Sequence, residues 1–366
     1  YTIDQTGPSV GISSAAGDPT NQSPISVALS FSEPVLDFEV GDIVASGGTL
    51  ANFTGSGADY SVELSPAGDG TLTVDVGGAV ASDAAGNANT SAVQFSIAYD
   101  VTAPQVTSIT RVTGTPTAAT GVDYSVTFSE PVFEVDVTDF ALVATDTATG
   151  TVSSVSGAGT SYVVSVTVVS GDGTLGLNLL DDDSIVDAAS NPLGESGTGN
   201  GDFSGEQYTI DQTGPTVVLA SAATDPSNVS PISVSITFSE PVDDFGLGDM
   251  DAAGGTLAGF AGSGTDYTVD LIPSGDGLLT VDVAGGSASD AAGNSNSPAT
   301  QFSITFDATD PTVSSIARAS GASTGGSSVD FTVTFAEPVI GVDSSDFALV
   351  ASGSATGSIS AISGAN

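Results

Sequence analysis

The text of residues 1–159 returns 207 positions later almost unchanged, and that internal copy constrains this chain more than any single motif. The opening YTIDQTGP, Tyr1 to Pro8, recurs as Tyr208 to Pro215, and the offset runs without a gap to Asn366. A tandem array folds as a series of small units with separate cores. Its function lies in span and surface rather than in one catalytic pocket.

The repeat is itself double. FSEPV stands at Phe31–Val35, Phe128–Val132 and Phe238–Val242, and FAEPV at Phe335–Val339. An Asp-x-Thr-x-Pro linker precedes each: Asp4–Pro8, Asp100–Pro104, Asp211–Pro215 and Asp307–Pro311. The order is A-B-A-B, with expected domains over 5–100, 101–211, 212–307 and 308–366. Residues 1–4 read as the last strand of a preceding domain. The fourth copy stops where the second is in mid-domain, so the chain reads as an excerpt of a longer one.

Forty-four acidic residues face only Arg111 and Arg318, with no Lys and no His, for a formal charge of -42. Nucleic acid and anionic membranes need a positive footprint and are excluded as direct partners; metal cations are the natural counter-charge. The absence of Cys removes disulfides and thiolate nucleophiles and fits a secreted chain. Without His or Lys, Ser-His-Asp catalysis, Schiff-base chemistry and imidazole metal sites fall away too. No apolar run reaches the roughly 20 residues that a spanning helix needs.

Strand patterning is plain. In Ile25-Ser26-Val27-Ala28-Leu29-Ser30-Phe31 apolar and polar residues alternate, as they do through Tyr60-Val62-Leu64, Leu72-Val74-Val76 and Phe95-Ile97-Tyr99. Seven strands are predicted in the first copy: 9–13, 25–31, 42–45, 48–53, 60–65, 71–76 and 93–99. With no helical periodicity, this predicts an all-β tandem array of seven-stranded Ig-like β-sandwiches. In the B copy, Tyr124-Val126-Phe128, Tyr162 to Val168 and Leu175-Leu177-Leu179 are the predicted core.

Threading seven strands up and down brings the linker, the loop after strand two and the loop before strand seven to one end. The candidate metal ligands lie there. In the first copy they are Asp4, Glu33, Asp42, Asp83 and Asn87; in the second Asp100, Glu130, Asp139, Asp183, Asp187 and Asn191. The third offers Asp211, Glu240, Asp249, Asp290 and Asn294, and the fourth Asp307, Glu337 and Asp346. Unit negative charges about 5 Å apart repel by roughly 0.8 kcal/mol in water and about 3 kcal/mol at an effective dielectric of 20. An all-oxygen ligand set matches Ca²⁺ better than Mg²⁺. The alternative is ordinary turn chemistry on a solvated acidic surface. For Asp69, Asp172 and Asp276, in GDG turns at the opposite end, that turn explanation is sufficient, and contact with the next domain's joint stays open as an alternative.

SEPV, Asp-x-Thr-x-Pro and DAAGN in this order resemble the bacterial Ig-like repeats of very long surface proteins and calcium-dependent adhesins. The resemblance implies an extracellular stalk on a bacterial cell surface, stiffened by Ca²⁺ at its joints, with the linker Asp, the SEP Glu and the loop Asp as ligands. The first B loop departs from the pattern, with Ser190 where Gly precedes Asn elsewhere. An alternative reading is the body of a filament, sheath or surface layer in which neighbouring copies associate. An enzyme would have only carboxylate pairs to work with, which recur at every joint. Gly55–Asp59 reads as a hairpin turn, Gly197–Gly205 as a loop, and Arg111 and Arg318 each as one side of a salt bridge to a nearby acid, with a lateral contact to a neighbouring chain's acidic face as the alternative. Sequons at Asn21, Asn52, Asn89 and Asn228 leave glycosylation open.

Overall fold

The computed structural model describes residues 3–321 and 325–364. Tyr1 and Thr2 of the expected leading strand lie outside them. The chain divides into two units: residues 3–214 with Ser289–Asn294, and Pro215–Ala288 with 295–364. No helix among the described residues is long and apolar enough to cross a membrane.

The first sandwich consists of β1 (Val10–Ser13), β2 (Ile25–Phe31), β3 (Ile43–Ser46), β4 (Gly48–Ser56), β5 (Asp59–Pro66), β6 (Gly70–Val76) and β7 (Phe95–Tyr99). One sheet runs β1-β2-β5-β4 and the other β3-β6-β7, all antiparallel, the arrangement of a constant-type Ig domain. Register follows the alternation: Ile25 faces Leu64, Val27 faces Val62 and Leu29 faces Tyr60. Their inward side chains, with Leu72, Val74 and Val76 of the other sheet, form one buried core. Phe31, Phe38, Phe53 and Tyr60 complete it as edge-to-face and stacked rings 4.9–6.0 Å apart.

The B sandwich follows the plan in six strands rather than the expected seven, the long β11 covering the region of both β4 and β5: β8 (Val106–Arg111), β9 (Gly121–Val132), β10 (Phe140–Ala144), β11 (Thr149–Ser170), β12 (Gly173–Leu179) and β13 (Phe203–Ile210). Its sheets are β11-β9-β8 and β10-β12-β13. Tyr124 and Tyr208, both fully buried, cross edge-to-face at 5.2 Å, and the Tyr208 hydroxyl accepts from the Val112 and Thr113 amides. The predicted Arg111 salt bridge forms within this sandwich, to Glu206 at 3.4 Å. The glycine-rich loop is shorter than expected, because Gly205 belongs to β13; a Cβ there would meet Ile109 at 2.5 Å.

In the second unit, β14 (Val217–Ala220), β15 (Ile232–Val242), β16 (Met250–Ala253), β17 (Gly255–Pro273), β18 (Gly277–Val283) and β19 (Phe302–Phe306) rebuild the A plan in six strands, β17 covering the region of both β4 and β5. Beyond them β20 (Val313–Arg318) pairs with β21 (Phe331–Phe335). The Gly55–Asp59 hairpin turn forms as read: Gly55 and Gly57 take φ of 126° and 71°, and Ser56 pairs with Asp59.

Two expectations need correction. Residues 40–42, read in part as the start of strand three, form a 3-10 turn that recurs at Val137–Asp139, Leu247–Asp249 and Ser344–Asp346. Asn89 is not an available glycosylation site, since it is 4% exposed and its amide is fully engaged. Its Oδ1 accepts from the Val80 and Ala81 amides, and its Nδ2 donates to the Gly77 and Thr90 carbonyls. Asn296 makes the equivalent contacts in the second unit. Asn89→Ala is expected to cost about 2–4 kcal/mol, because it leaves buried backbone groups without partners. Denaturant unfolding of the full chain, read on the first sandwich, measures this.

Candidate metal centre

Each SEPV motif has a division of labour. The Ser32 hydroxyl accepts the Ser9 amide at 3.0 Å, fastening the entry of β1, and the same bond recurs from Gln105 to Ser129 and from Thr216 to Ser239. Val35 is buried as an anchor, and Glu33 between them is half-buried. The DAAGN loop is organised by its first residue. Asp83 Oδ1 accepts the Ala85 and Asn87 amides, both at 2.8 Å, and its Oδ2 accepts Asn87 Nδ2 at 2.8 Å. Asn87 Nδ2 also donates to the Asp4 carbonyl at 3.3 Å, tying loop to linker.

Topology then gathers Asp4, Glu33 and Asp83, whose carboxylate oxygens lie within 4.8 Å of one another. Asp100, Glu130 and Asp187 repeat the group at the next linker. Asp83 and Asp187 are 3% and 4% exposed, whereas Asp4 is open to solvent. The Asn191 amide nitrogen joins Asp187 at 2.8 Å to the Asp100 carbonyl at 3.0 Å, and its Oδ1 accepts from Asn21 of the preceding sandwich at 3.1 Å. In the same unit Asp290 and Asp211 have oxygens within 4.8 Å, and Asn294 bridges them as Asn87 does. Glu240 stands in β15 of the second unit. The only cation in residues 3–214, Arg111, is engaged with Glu206 and the Gln207 carbonyl, so no side chain neutralises these trios.

Protonation reflects that crowding. Burial, then the charges of Asp4 and Asp83, hold the Glu33 carboxyl above the ordinary range. Glu130 is raised by burial, then by Asp100, Asp187 and Asp69. Asp83 goes the other way, held low chiefly by the hydrogen bond from the Asn87 side chain.

Several predicted ligands sit elsewhere. Asp42, Asp139, Asp249 and Asp346 occupy the third position of the four 3-10 turns, where their carboxylates accept the amides of Glu39, Asp136, Gly246 and Asp343 at 2.7–2.8 Å. Asp139 is buried besides, accepts the Ser184 hydroxyl, and is raised by that burial. Asp183 accepts the Gly197 amide at 3.0 and 3.1 Å and orders the long B loop. These five act as caps and loop clasps; sequence proximity to the joint concealed that role. Asp307 accepts the Thr309 amide at 3.2 Å, and Glu337 is half-buried; neither belongs to a carboxylate trio among the described residues. The Ser190 departure leaves the loop intact: its φ of 68° matches Gly86 at 87° and Gly293 at 91°, and Asn191 keeps its contacts.

The Bacterial Ig-like domain family model matches residues 4–99 and 211–306. Among solved structures the chain is similar to the Escherichia coli adhesin FdeC, at 13% identity over 84% of this chain and 100% of that one, with a TM-score of 0.45. It is also similar to Yersinia pseudotuberculosis InvD, at 11% identity over 82% and 98% with a TM-score of 0.36. The mouse nectin-like molecule 4 ectodomain follows, at 12% identity over 75% and 93% with a TM-score of 0.26. Comparison with curated proteins returns no match.

Two predictions follow from the geometry. The folded Glu33 and Glu130 bind their protons more tightly than the unfolded chain does, so metal-free stability is expected to fall as pH rises from the ordinary Glu value of 4.5 through the raised one. Asp83 contributes stability above its ordinary 3.8, lost only as pH drops through its lowered value. Chemical denaturation in EDTA across pH 4–8 is therefore expected to show a mildly acidic maximum, and Glu33→Gln with Glu130→Gln to flatten the decline. Ser190→Gly is expected to stabilise the B sandwich by about 0.5–1 kcal/mol by relieving a left-handed backbone, read by thermal unfolding. Residues 4–99 and 211–306 carry the matched signature and the observed sandwiches share its Ig plan, so the chain belongs to the bacterial Ig-like domain family.

Proposed function

We propose that this chain is a non-enzymatic, extracellular stalk segment of a bacterial surface adhesin, in which Ca²⁺ at the joints stiffens successive sandwiches. The observation that carries the metal reading is the recurrence of one trio: linker Asp, SEP Glu and loop Asp, within 4.8 Å and without a cationic side chain. The donor set fits the ion. All donors are oxygens, one carboxylate in each trio is buried in a preorganised loop, and the linker carboxylate is open enough to admit water as a further ligand. Mg²⁺ would demand a stricter octahedron.

When bound, the ion would replace mutual repulsion by shared attraction among groups from three separate chain segments. Asp83 and Asp187 would anchor it in the loop, Glu33 and Glu130 would add the strand-end charge, and Asp4 and Asp100 would tie in the linker. Family membership, the tandem plan and the lack of Cys support the extracellular stalk reading. The lack of His, Lys and Cys and the repetition of the same acids support a structural rather than catalytic role.

In calorimetric titration the full chain is expected to bind Ca²⁺. At a free concentration a hundredfold above Kd, each site adds about 2.7 kcal/mol of stability. Glu33→Gln is expected to weaken the response of the first joint while leaving metal-free stability unchanged or higher, since it removes a repelling charge. Melting curves and hydrodynamic radii that coincide in Ca²⁺ and in EDTA would sink the proposal.

A further inference from the structure

The Asp-x-Thr-x-Pro linker contains a threonine that the metal reading does not use, and the GDG turns contain an aspartate that the sandwich core does not need. The structure joins them. Asp69 Oδ1 accepts the Val101 amide at 2.9 Å, and its Oδ2 accepts the Thr102 hydroxyl at 2.5 Å. Asp172 does the same to the next linker, taking the Gln212 amide at 2.6 Å and the Thr213 hydroxyl at 2.5 Å. In the second unit Asp276 takes the Ala308 amide at 2.8 Å and the Thr309 hydroxyl. Three domains thus place one bidentate carboxylate on the same two donors of the linker that follows.

The threonine is held from both sides. Its backbone amide donates to the linker aspartate, Thr102 to Asp100 at 3.0 Å and Thr213 to Asp211 at 3.2 Å, while its hydroxyl is held by the GDG aspartate. Asp100 is also fixed through its own amide, which donates to the Thr20 carbonyl of the first sandwich at 3.0 Å. The aspartate that enters the trio is therefore oriented by the domain before it, whereas Glu130 and Asp187 belong to the domain after it.

We infer that the GDG aspartate is a positioning residue for the joint: Asp69 latches the linker so that Asp100 is presented to Glu130 and Asp187 before any cation arrives. Asp69 is close enough to the trio for its charge to act on Glu130, so the latch also adds to the negative field there. At the first linker the Thr6 amide likewise donates to Asp4 Oδ1, at 3.0 Å.

The latch itself is tested without metal, and only its effect on affinity rests on the calcium reading. In EDTA, amide hydrogen exchange of the full chain is expected to be at least about tenfold faster at Val101 and Thr102 in Asp69→Ala than in the parent, with Val74 in the core unchanged; opening of a protected hydrogen bond is what exchange reads. Unchanged exchange overturns the latch. In a Ca²⁺ titration, Asp69→Ala is expected to weaken the Asp100 joint by about tenfold, the lower end for loss of an outer partner of a metal ligand, and to leave the Asp4 joint unaffected. Faster exchange with unaltered Ca²⁺ affinity at the Asp100 joint overturns the positioning role. If the parent chain binds no Ca²⁺ at either joint, the calcium reading fails, the affinity claim fails with it, and the exchange result alone decides the latch. Should Asp69→Ala disturb the turn, Thr102→Val removes the hydroxyl bond alone, and is expected to speed exchange at Val101 and Thr102 less than Asp69→Ala does and to weaken Ca²⁺ binding at the Asp100 joint in the same direction; no change in either overturns the latch.

Discussion

The constraint on which the joints depend is the forced proximity of like charges. Asp83 or Asp187 is buried in a loop whose own amides donate to it, and the chain brings a strand-end glutamate and a linker aspartate to within 4.8 Å of it. No cationic side chain offsets that repulsion, since the only one in residues 3–214, Arg111, is paired with Glu206. Burial first, and then these neighbouring charges, raise the Glu33 and Glu130 carboxyls above the ordinary range.

Hydrogen bonds hold the carboxylates in place in spite of it. Asn87 and Asn191 each join the buried aspartate to the linker carbonyl, and Asn191 reaches the preceding sandwich through Asn21. The Ser of SEPV secures the first strand, so the glutamate beside it projects from a fixed point. Small turns that look like punctuation are thus the framework of the joint. The shared plan of the two sheets only has to deliver their ends to one side.

Much of this was legible in the sequence. The alternation around Ile25–Phe31 and Leu72–Val76 predicts strands found at those positions, because a period of two with one apolar face has one stable burial. The trio members were legible because their motifs recur in fixed order, and an up-and-down path sends their loops to one end. Asp42, Asp139, Asp249 and Asp346 misled for a local reason: a carboxylate three residues after a turn start has backbone amides nearer to hand than any distant partner. Asn89 misled similarly, since an acceptor motif carries no information about burial. Ser190 kept the glycine-like turn because the surrounding hydrogen bonds outweigh the cost of its backbone angle.

The repeat, the all-β class, the strand positions and the acidic character of the joints could be read from the chain before any folding was known, since periodicity and charge are properties of the text. Tertiary structure decided which acids meet and which serve as caps, because that depends on the direction in which each loop leaves its strand. It identified Thr102 as the partner of Asp69, two residues 33 positions apart and assigned by sequence to different domains. A side-chain contact across a domain boundary leaves no periodic trace in either partner, so it becomes visible only when the backbone has placed both.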